Sequence, residues 1–153
     1  MKIAVLKERA TGETRVALTP ETAKKFIALG ADVSVEAGAG EHASIADAAY
    51  SDAGASVGTA DQVVRDAGIV LGVQAPDPAL LQGAKPDAKV AATFDPFKQG
   101  ERVDAYAKAG LEALAMEFMP RITRAQSMDV LSSQSNLSGY KAVIAAEIGR
   151  AHV

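Results

Sequence analysis

The feature that most narrows the fold is an alternation, in which short apolar runs are each followed by a stretch of helical character. Lys2–Leu6, Asp32–Ala37, Ile69–Val73, Lys89–Thr93 and Leu111–Met116 read as strands, with helix-forming runs between them. Strands separated by helices cannot pair through tight hairpins, so the pattern calls for a parallel sheet covered on both faces. Punctuation agrees: Thr19 is placed as an N-cap with Pro20 at the first helical position. Ala23, Phe26, Ile27 and Leu29 then form one apolar face before Gly30 stops the helix. Further helices are expected around Ala46–Tyr50, over Asp61–Ala67 and Glu101–Ala109, and from about Ser127 to Ala146. A helical turn at Ala79–Gln82 falls inside a Pro- and Gly-rich connection. In the last helix Val130, Leu131, Leu137, Tyr140, Val143 and Ile144 are the expected core positions.

Size and charge bound what such a sheet can do. At 153 residues and 48% apolar content the chain suffices for one domain with a core. Sixteen basic against nineteen acidic residues give a net charge of −3, with no basic patch able to neutralise successive phosphates, so nucleic acid is not an expected partner. Zero cysteines exclude disulfides and thiolate metal sites, and two histidines leave little for zinc, so no metal site is expected. Lys7 and Glu8 interrupt the first apolar run, and no later run is long enough to span a bilayer. A soluble, cytoplasmic chain without direct membrane insertion is the expectation.

Three constellations carry possible chemistry. Gly38-Ala39-Gly40-Glu41-His42-Ala43 imitates the G-x-G-x-x-A dinucleotide fingerprint directly after a strand. It is rejected, because the true fingerprint opens a long helix, whereas here the following run is short and Gly54 breaks it. His42 reads as a partly exposed loop histidine. The second is the loop from Lys7 to Ala17, where Arg15 lies beyond the carboxyl end of the first strand. It either clamps a carboxylate ligand or pairs with Glu8 or Glu13.

The third, Met119 to Tyr140, crowds Arg121, Thr123, Arg124, Gln126, Asp129, Ser132, Ser133, Gln134, Ser135 and Asn136 into consecutive turns. Such residues compete with the backbone for hydrogen bonds, so a helix selected for stability alone would avoid them. Gln126, Asp129 and Ser132, spaced by three, are expected on one helical face beside Arg121. A capping box of Thr123 and Gln126 would explain those two residues and leave the rest without a role.

Pro120 to Tyr140 closely resembles the motif Pro-Arg-Ile-(Ser/Thr)-Arg-Ala-Gln-Ser-(Met/Leu)-Asp-x-Leu-Ser-Ser-x-x-Asn-x-(Ala/Ser)-Gly-Tyr of the NAD(H)-binding component of proton-translocating nicotinamide nucleotide transhydrogenases. Lys7-Glu8-Arg9, Glu13-Thr14-Arg15-Val16-Ala17 and Val35-Glu36-Ala37-Gly38-Ala39-Gly40 are similar to the same family in register. The resemblance implies a flavodoxin-like or Rossmann-like doubly wound parallel sheet. This would be the first domain of a two-domain NAD(H)-binding component, incomplete over residues 1–146. It also implies that Arg121, Thr123, Arg124, Gln126, Asp129 and Ser132 hold the nicotinamide end of NAD(H), with no catalytic residue of the chain's own. NADP(H) would bind a partner component, and the chain would work as a homodimer peripheral to the inner (plasma) membrane, attached to membrane components that move protons.

Alanine dehydrogenases share the Glu-x-Arg-Val opening and the architecture, and form the alternative. Reducing an imino or keto acid needs a proton donor, which that family supplies with a Lys after the third strand and a His after the fourth. Here those places hold Gln74 and the stretch Thr93-Phe94-Asp95-Pro96-Phe97. Hydride transfer between two nicotinamide rings needs alignment and no such donor. A stand-alone flavodoxin-like binding module is the non-enzymatic alternative.

The end of the chain, Glu147-Ile148-Gly149-Arg150-Ala151-His152-Val153, back-translates to GAGATCGGAAGAGCACACGTC, which contains the start of a widely used short-read sequencing adapter. Residues 147–153 are therefore expected to be non-native, and the fragment without its missing part is expected to be inactive.

Overall fold

A computed structural model describes residues 1–150, with side chains as far as residue 148. Residues 151–153 of the expected foreign tail, His152 among them, lie outside the described residues. The chain divides into two compact units, Met1–Ala115 and Met116–Val153.

The first unit alternates β1 (Lys2–Val5), α1 (Pro20–Ala28), β2 (Asp32–Glu36), α2 (Asp47–Asp52), β3 (Ser56–Gly58), α3 (Ala60–Val64), β4 (Ile69–Gln74), β5 (Lys89–Thr93), α4 (Gly100–Lys108) and β6 (Glu112–Ala115). The strands form one sheet in the order β3-β2-β1-β4-β5-β6, and every pair is parallel. The chain builds outward from β1 to β3, then returns to lay β4 against the other side of β1. The strand order therefore reverses between β1 and β4, the place where open α/β sheets leave a crevice beyond their carboxyl ends.

Alternation along β1 explains the two cores. Ala4 and Leu6 face a cluster with Val63 and Val64 of α3, Val70, Val90, Phe94 and Tyr106 of α4. Val5 faces the other way, toward Leu18, Ala23 of α1, Val33, Val35 and Tyr50 of α2. Each cluster contains one fully buried tyrosine whose hydroxyl ties a loop down. Tyr50 donates to the Leu18 carbonyl at 2.7 Å, and Tyr106 to the Pro76 carbonyl at 2.6 Å, with its ring edge-on to Phe94 at 5.0 Å. A buried ring contributes apolar area only if its polar tip finds a partner, and both do. These two bonds fix the loops that leave β1 and β4, where the site lies.

Several sequence expectations shift. Thr19 caps α1 as expected, accepting from the Thr22 amide at 3.3 Å, and Gly30 follows with φ +85. Leu29, expected on the apolar face, is the C-cap residue and stands 83% exposed. β3 was not among the expected strands, because Ser56-Val57-Gly58 is too short and polar to show a period of two.

The second unit holds short 3₁₀ turns at Met116–Phe118 and Gln126–Met128, then α5 (Val130–Arg150). The expected core positions of this helix are overturned: Leu131, Leu137, Tyr140 and Val143 are exposed, and only Val130 and Ile144 are half-buried. Apolar spacing marks a face that can be buried, but does not by itself bury it.

Candidate functional site

At the carboxyl end of the sheet in the first unit, β4 carries a bulge. Its register against β5 shifts between Leu71 and Gln74, and Gly72 is required there, since a Cβ would meet the Gln74 carbonyl oxygen at 2.7 Å. A bulge releases backbone N–H groups from the ladder, and Glu8, just past β1, receives them. Its carboxylate accepts from the Val73 amide at 2.6 Å and the Gln74 amide at 3.1 Å. Burial pushes the Glu8 carboxyl above its usual range against the lowering effect of these two bonds.

Beside it, Arg15 resolves in favour of the internal pair. Its guanidinium grips Glu13 through two bonds of 2.7 Å, and its amide adds a third at 3.1 Å. The bonded guanidinium holds the Glu13 carboxyl down at about 2. Gln74 donates from Nε2 to Glu13 at 3.2 Å and its Oε1 lies 3.0 Å from the Thr93 hydroxyl, which also donates to the Val73 carbonyl. Arg15, Glu13, Gln74 and Thr93 thus form one chain of bonds across the ends of β1, β4 and β5. Next to this network opens a cleft of about 310 Å³, lined by Leu6, Lys7, Glu8, Gln74, Gln99 and Arg102 among others.

The glycine turn after β2 is already filled from within. The Gly38 amide donates to both oxygens of Asp47, at 2.9 and 3.1 Å. A Cβ on Gly40 would strike the Ile45 carbonyl at 2.6 Å, and the helical piece that follows is the 3₁₀ turn Glu41–Ala43. A pyrophosphate would find the Gly38 amide already taken and no long helix opening at the turn. His42 is exposed on that turn.

In the second unit, the motif residues are arranged differently from the single helical face expected of them. Gln126 belongs to the 3₁₀ turn, Asp129 stands outside it in extended geometry (φ −74, ψ 110), and Ser132 lies in the first turn of α5. The reason is capping: Asp129 accepts from the Leu131 amide at 3.0 Å and from the Ser132 hydroxyl at 2.5 Å. Asp129, not a Thr123–Gln126 box, starts the helix. The Ser132 bond, and with it Leu131 and the nearby Arg121, holds the Asp129 carboxyl below its usual range. Asp129 is 5% exposed, while Arg121, Thr123, Arg124, Gln126 and Ser132 are all exposed.

Sequence reasoning missed Glu8 as the bulge cap and gave Arg102 no role. Gly72 inside an apolar strand was the available signal for the bulge. Nothing local marks Arg102, since its neighbours in the cleft come from β1 and β4.

A doubly wound parallel sheet with a polar network and a cleft at its switch point defines the class of α/β domains that take ligands beyond the carboxyl ends of their strands. The chain belongs to the alanine dehydrogenase/PNT N-terminal domain family, whose family model matches residues 4–138. It is 48% identical to an NAD(P) transhydrogenase alpha-subunit polypeptide of Rhodospirillum rubrum over 99% of this chain and 41% of that protein. The crystal structure of transhydrogenase from Sinorhizobium meliloti superposes with a TM-score of 0.89 at 49% identity, covering 95% of this chain and 44% of that one. An alanine dehydrogenase of Mycobacterium tuberculosis is more distant, 32% identical over 100% of this chain and 40% of the other. The relatives are oxidoreductases, and the chain spans less than half of their length. Among the described residues no helix is long and apolar enough to cross a membrane.

Proposed function

We propose that this chain is the N-terminal portion of the NAD(H)-binding subunit of a transhydrogenase that passes hydride between NADH and NADP, coupled to proton translocation. In this reading Arg121, Thr123, Arg124, Gln126, Asp129 and Ser132 hold the nicotinamide end of NAD(H). The supporting observation is Asp129: a buried carboxylate bonded by the Ser132 hydroxyl and the Leu131 amide and held below its usual range by them, with a smaller contribution from the charge of Arg121, in the middle of an otherwise exposed polar segment. A nicotinamide carboxamide offers two N–H donors and one acceptor. A carboxylate has about four lone-pair sites, and the Leu131 amide, the Ser132 hydroxyl and the Ser132 amide take three of them, which leaves acceptor capacity for one amide donor. Gln126 and the arginines add donors. The bound dinucleotide supplies the hydride; the chain's own residues orient the ring and need move no proton.

NADP(H) then belongs to a partner component. The subunit forms a homodimer and sits on the cytoplasmic side of the inner (plasma) membrane, peripheral to the proton-conducting components. The 153-residue chain alone is inactive, because it carries about 41% of such a subunit. We also read residues 147–153 as adapter-derived; codons other than the adapter's in the nucleotide sequence overturn that.

The test is hydride transfer from NADH to an NADP analogue by the full-length subunit with its partner component. Asp129→Asn and Ser132→Ala are expected to raise the apparent KM for NADH, and wild-type kinetics in both would sink the assignment. Calorimetric titration of the 153-residue chain is expected to show weak or no NADH binding, and micromolar affinity would contradict it. The 32% identical alanine dehydrogenase keeps a second reading alive. Pyruvate- and ammonia-dependent NADH oxidation by the full-length protein would establish it, although Arg15 is held by Glu13 and Gln74 offers no acid.

A further inference from the structure

We infer that the cleft beside β1 and β4 binds a small oxyanion, a carboxylate or a phosphate, received by the guanidinium of Arg102. The inference uses residues of the first unit only and none of the motif around Asp129, so it stands or falls apart from the nicotinamide assignment.

Of the three cations lining the cleft, Lys7 and Arg9 stand in ion pairs, and Arg102 is in none of those among the described residues. Lys7 pairs with Glu41 at 3.1 Å, and Arg9 with Glu36 at 2.7 Å. On the acidic side, both oxygens of Glu8 are spent on the Val73 and Gln74 amides, and Asp77 accepts from the Ala79 amide at 2.9 Å. Arg102 is half-buried, and none of the ion pairs among the described residues includes it. Its hydrogen bond is a long one, from Nη1 to the Ala75 carbonyl at 3.4 Å. A guanidinium has five donors in a planar fork that fits two oxygens of one anion.

A half-buried guanidinium with one long backbone bond keeps most of its donors available to oxygens that enter the cleft. Both Glu8 oxygens and one oxygen of Asp77 accept from backbone amides, so an entering group that brings two oxygens of its own suits the guanidinium fork best. The volume of about 310 Å³ is at the small end of the ~300–1,000 Å³ typical of ligand sites. A carboxylate- or phosphate-bearing group fits within it. Gln99, which also lines the cleft, supplies an amide donor beside the guanidinium.

The experiment is thermal unfolding of the 153-residue chain titrated with inorganic phosphate or with acetate, against chloride at matched ionic strength. A saturable rise in Tm with at least one of the two anions is expected, and which anion gives it tells phosphate from carboxylate. Arg102→Gln is expected to weaken that binding about tenfold or more, the loss of one charge-assisted pair. Arg102→Lys keeps the charge but not the fork, so it should fall between, and it carries the test if the glutamine variant does not fold. Arg65→Gln, at an exposed position outside the cleft lining, is expected to bind the anion as wild type does. Three results overturn the proposal: no saturable effect beyond chloride, wild-type affinity in both Arg102 variants, or displacement of the anion by NADH. The last would make the cleft a portion of a dinucleotide site.

Discussion

The two units of this chain solve opposite problems with similar residues. In Met1–Ala115, apolar side chains sit on two sides of a six-stranded sheet and are covered by four helices, so Val5, Val70 and Val90 are fully buried. In the described residues of Met116–Val153, a helix of 21 residues carries Leu137, Tyr140 and Val143 at 60%, 69% and 65% exposure. Hydrophobic content alone does not make a core; opposed surfaces do. The first unit contains its opposed surfaces, whereas α5 leaves Leu137, Tyr140 and Val143 exposed.

That difference can be broken or sharpened by measurement. The largest effect is expected from Phe94→Ala, which removes a ring 1% exposed and packed against Tyr106. It should cost about 3–5 kcal/mol in urea unfolding, while Leu137→Ala should stay within about 0.5 kcal/mol. Equal costs would show that α5 is as much a core element as the sheet.

Gly72→Ala comes next. The added Cβ at 2.7 Å from the Gln74 oxygen should cost roughly 1–3 kcal/mol by overpacking the bulge. Amide exchange at Val73 and Gln74 should speed up with it, and unchanged exchange would mean the bulge yields freely.

In the first unit, acid sensitivity should be readable at Glu13. Glu13, depressed to about 2 by its bond to Arg15, gives stability that is present above its ordinary value of 4.5 and is lost as pH falls toward about 2. Glu8, raised by burial, has the opposite sign: its share is present at low pH and lost as pH rises through its raised value. Glu13→Gln should therefore flatten the decline in unfolding midpoint below pH 4.5, and an unchanged acid limb would contradict the pairing. The smallest effect is expected from Asp129→Ala, which removes the cap of α5. Helicity by circular dichroism should fall slightly, with the midpoint of the sheet unit unmoved.

The architecture was legible because apolar runs survive in the sequence: Ile69–Val73 is apolar throughout and Val90–Ala92 is apolar between polar ends, as buried parallel strands are. Thr19, Pro20 and Gly30 announced α1 by local chemistry alone. The third strand escaped notice because Ser56-Val57-Gly58 gains its place only by pairing with β2. In the candidate sites, Arg121, Asp129 and Ser132 were visible as an excess of polar residues, but their arrangement was not. A spacing of three suggested one helical face, and the Asp129 carboxylate instead ends one turn and starts another. Arg15 left two outcomes open in sequence, and the geometry of Glu13 chose between them.

By itself, then, the sequence determined the class of fold, the family and the segments rich in chemistry, because strand period, helix caps and a long polar motif are written in local order. Tertiary structure alone decided which charges remain available. Glu8 meets the β4 amides 65 and 66 residues away, and Arg102 meets the Ala75 carbonyl 27 residues away. Whether a charge is satisfied depends on partners brought together by the sheet order, and no local pattern encodes that.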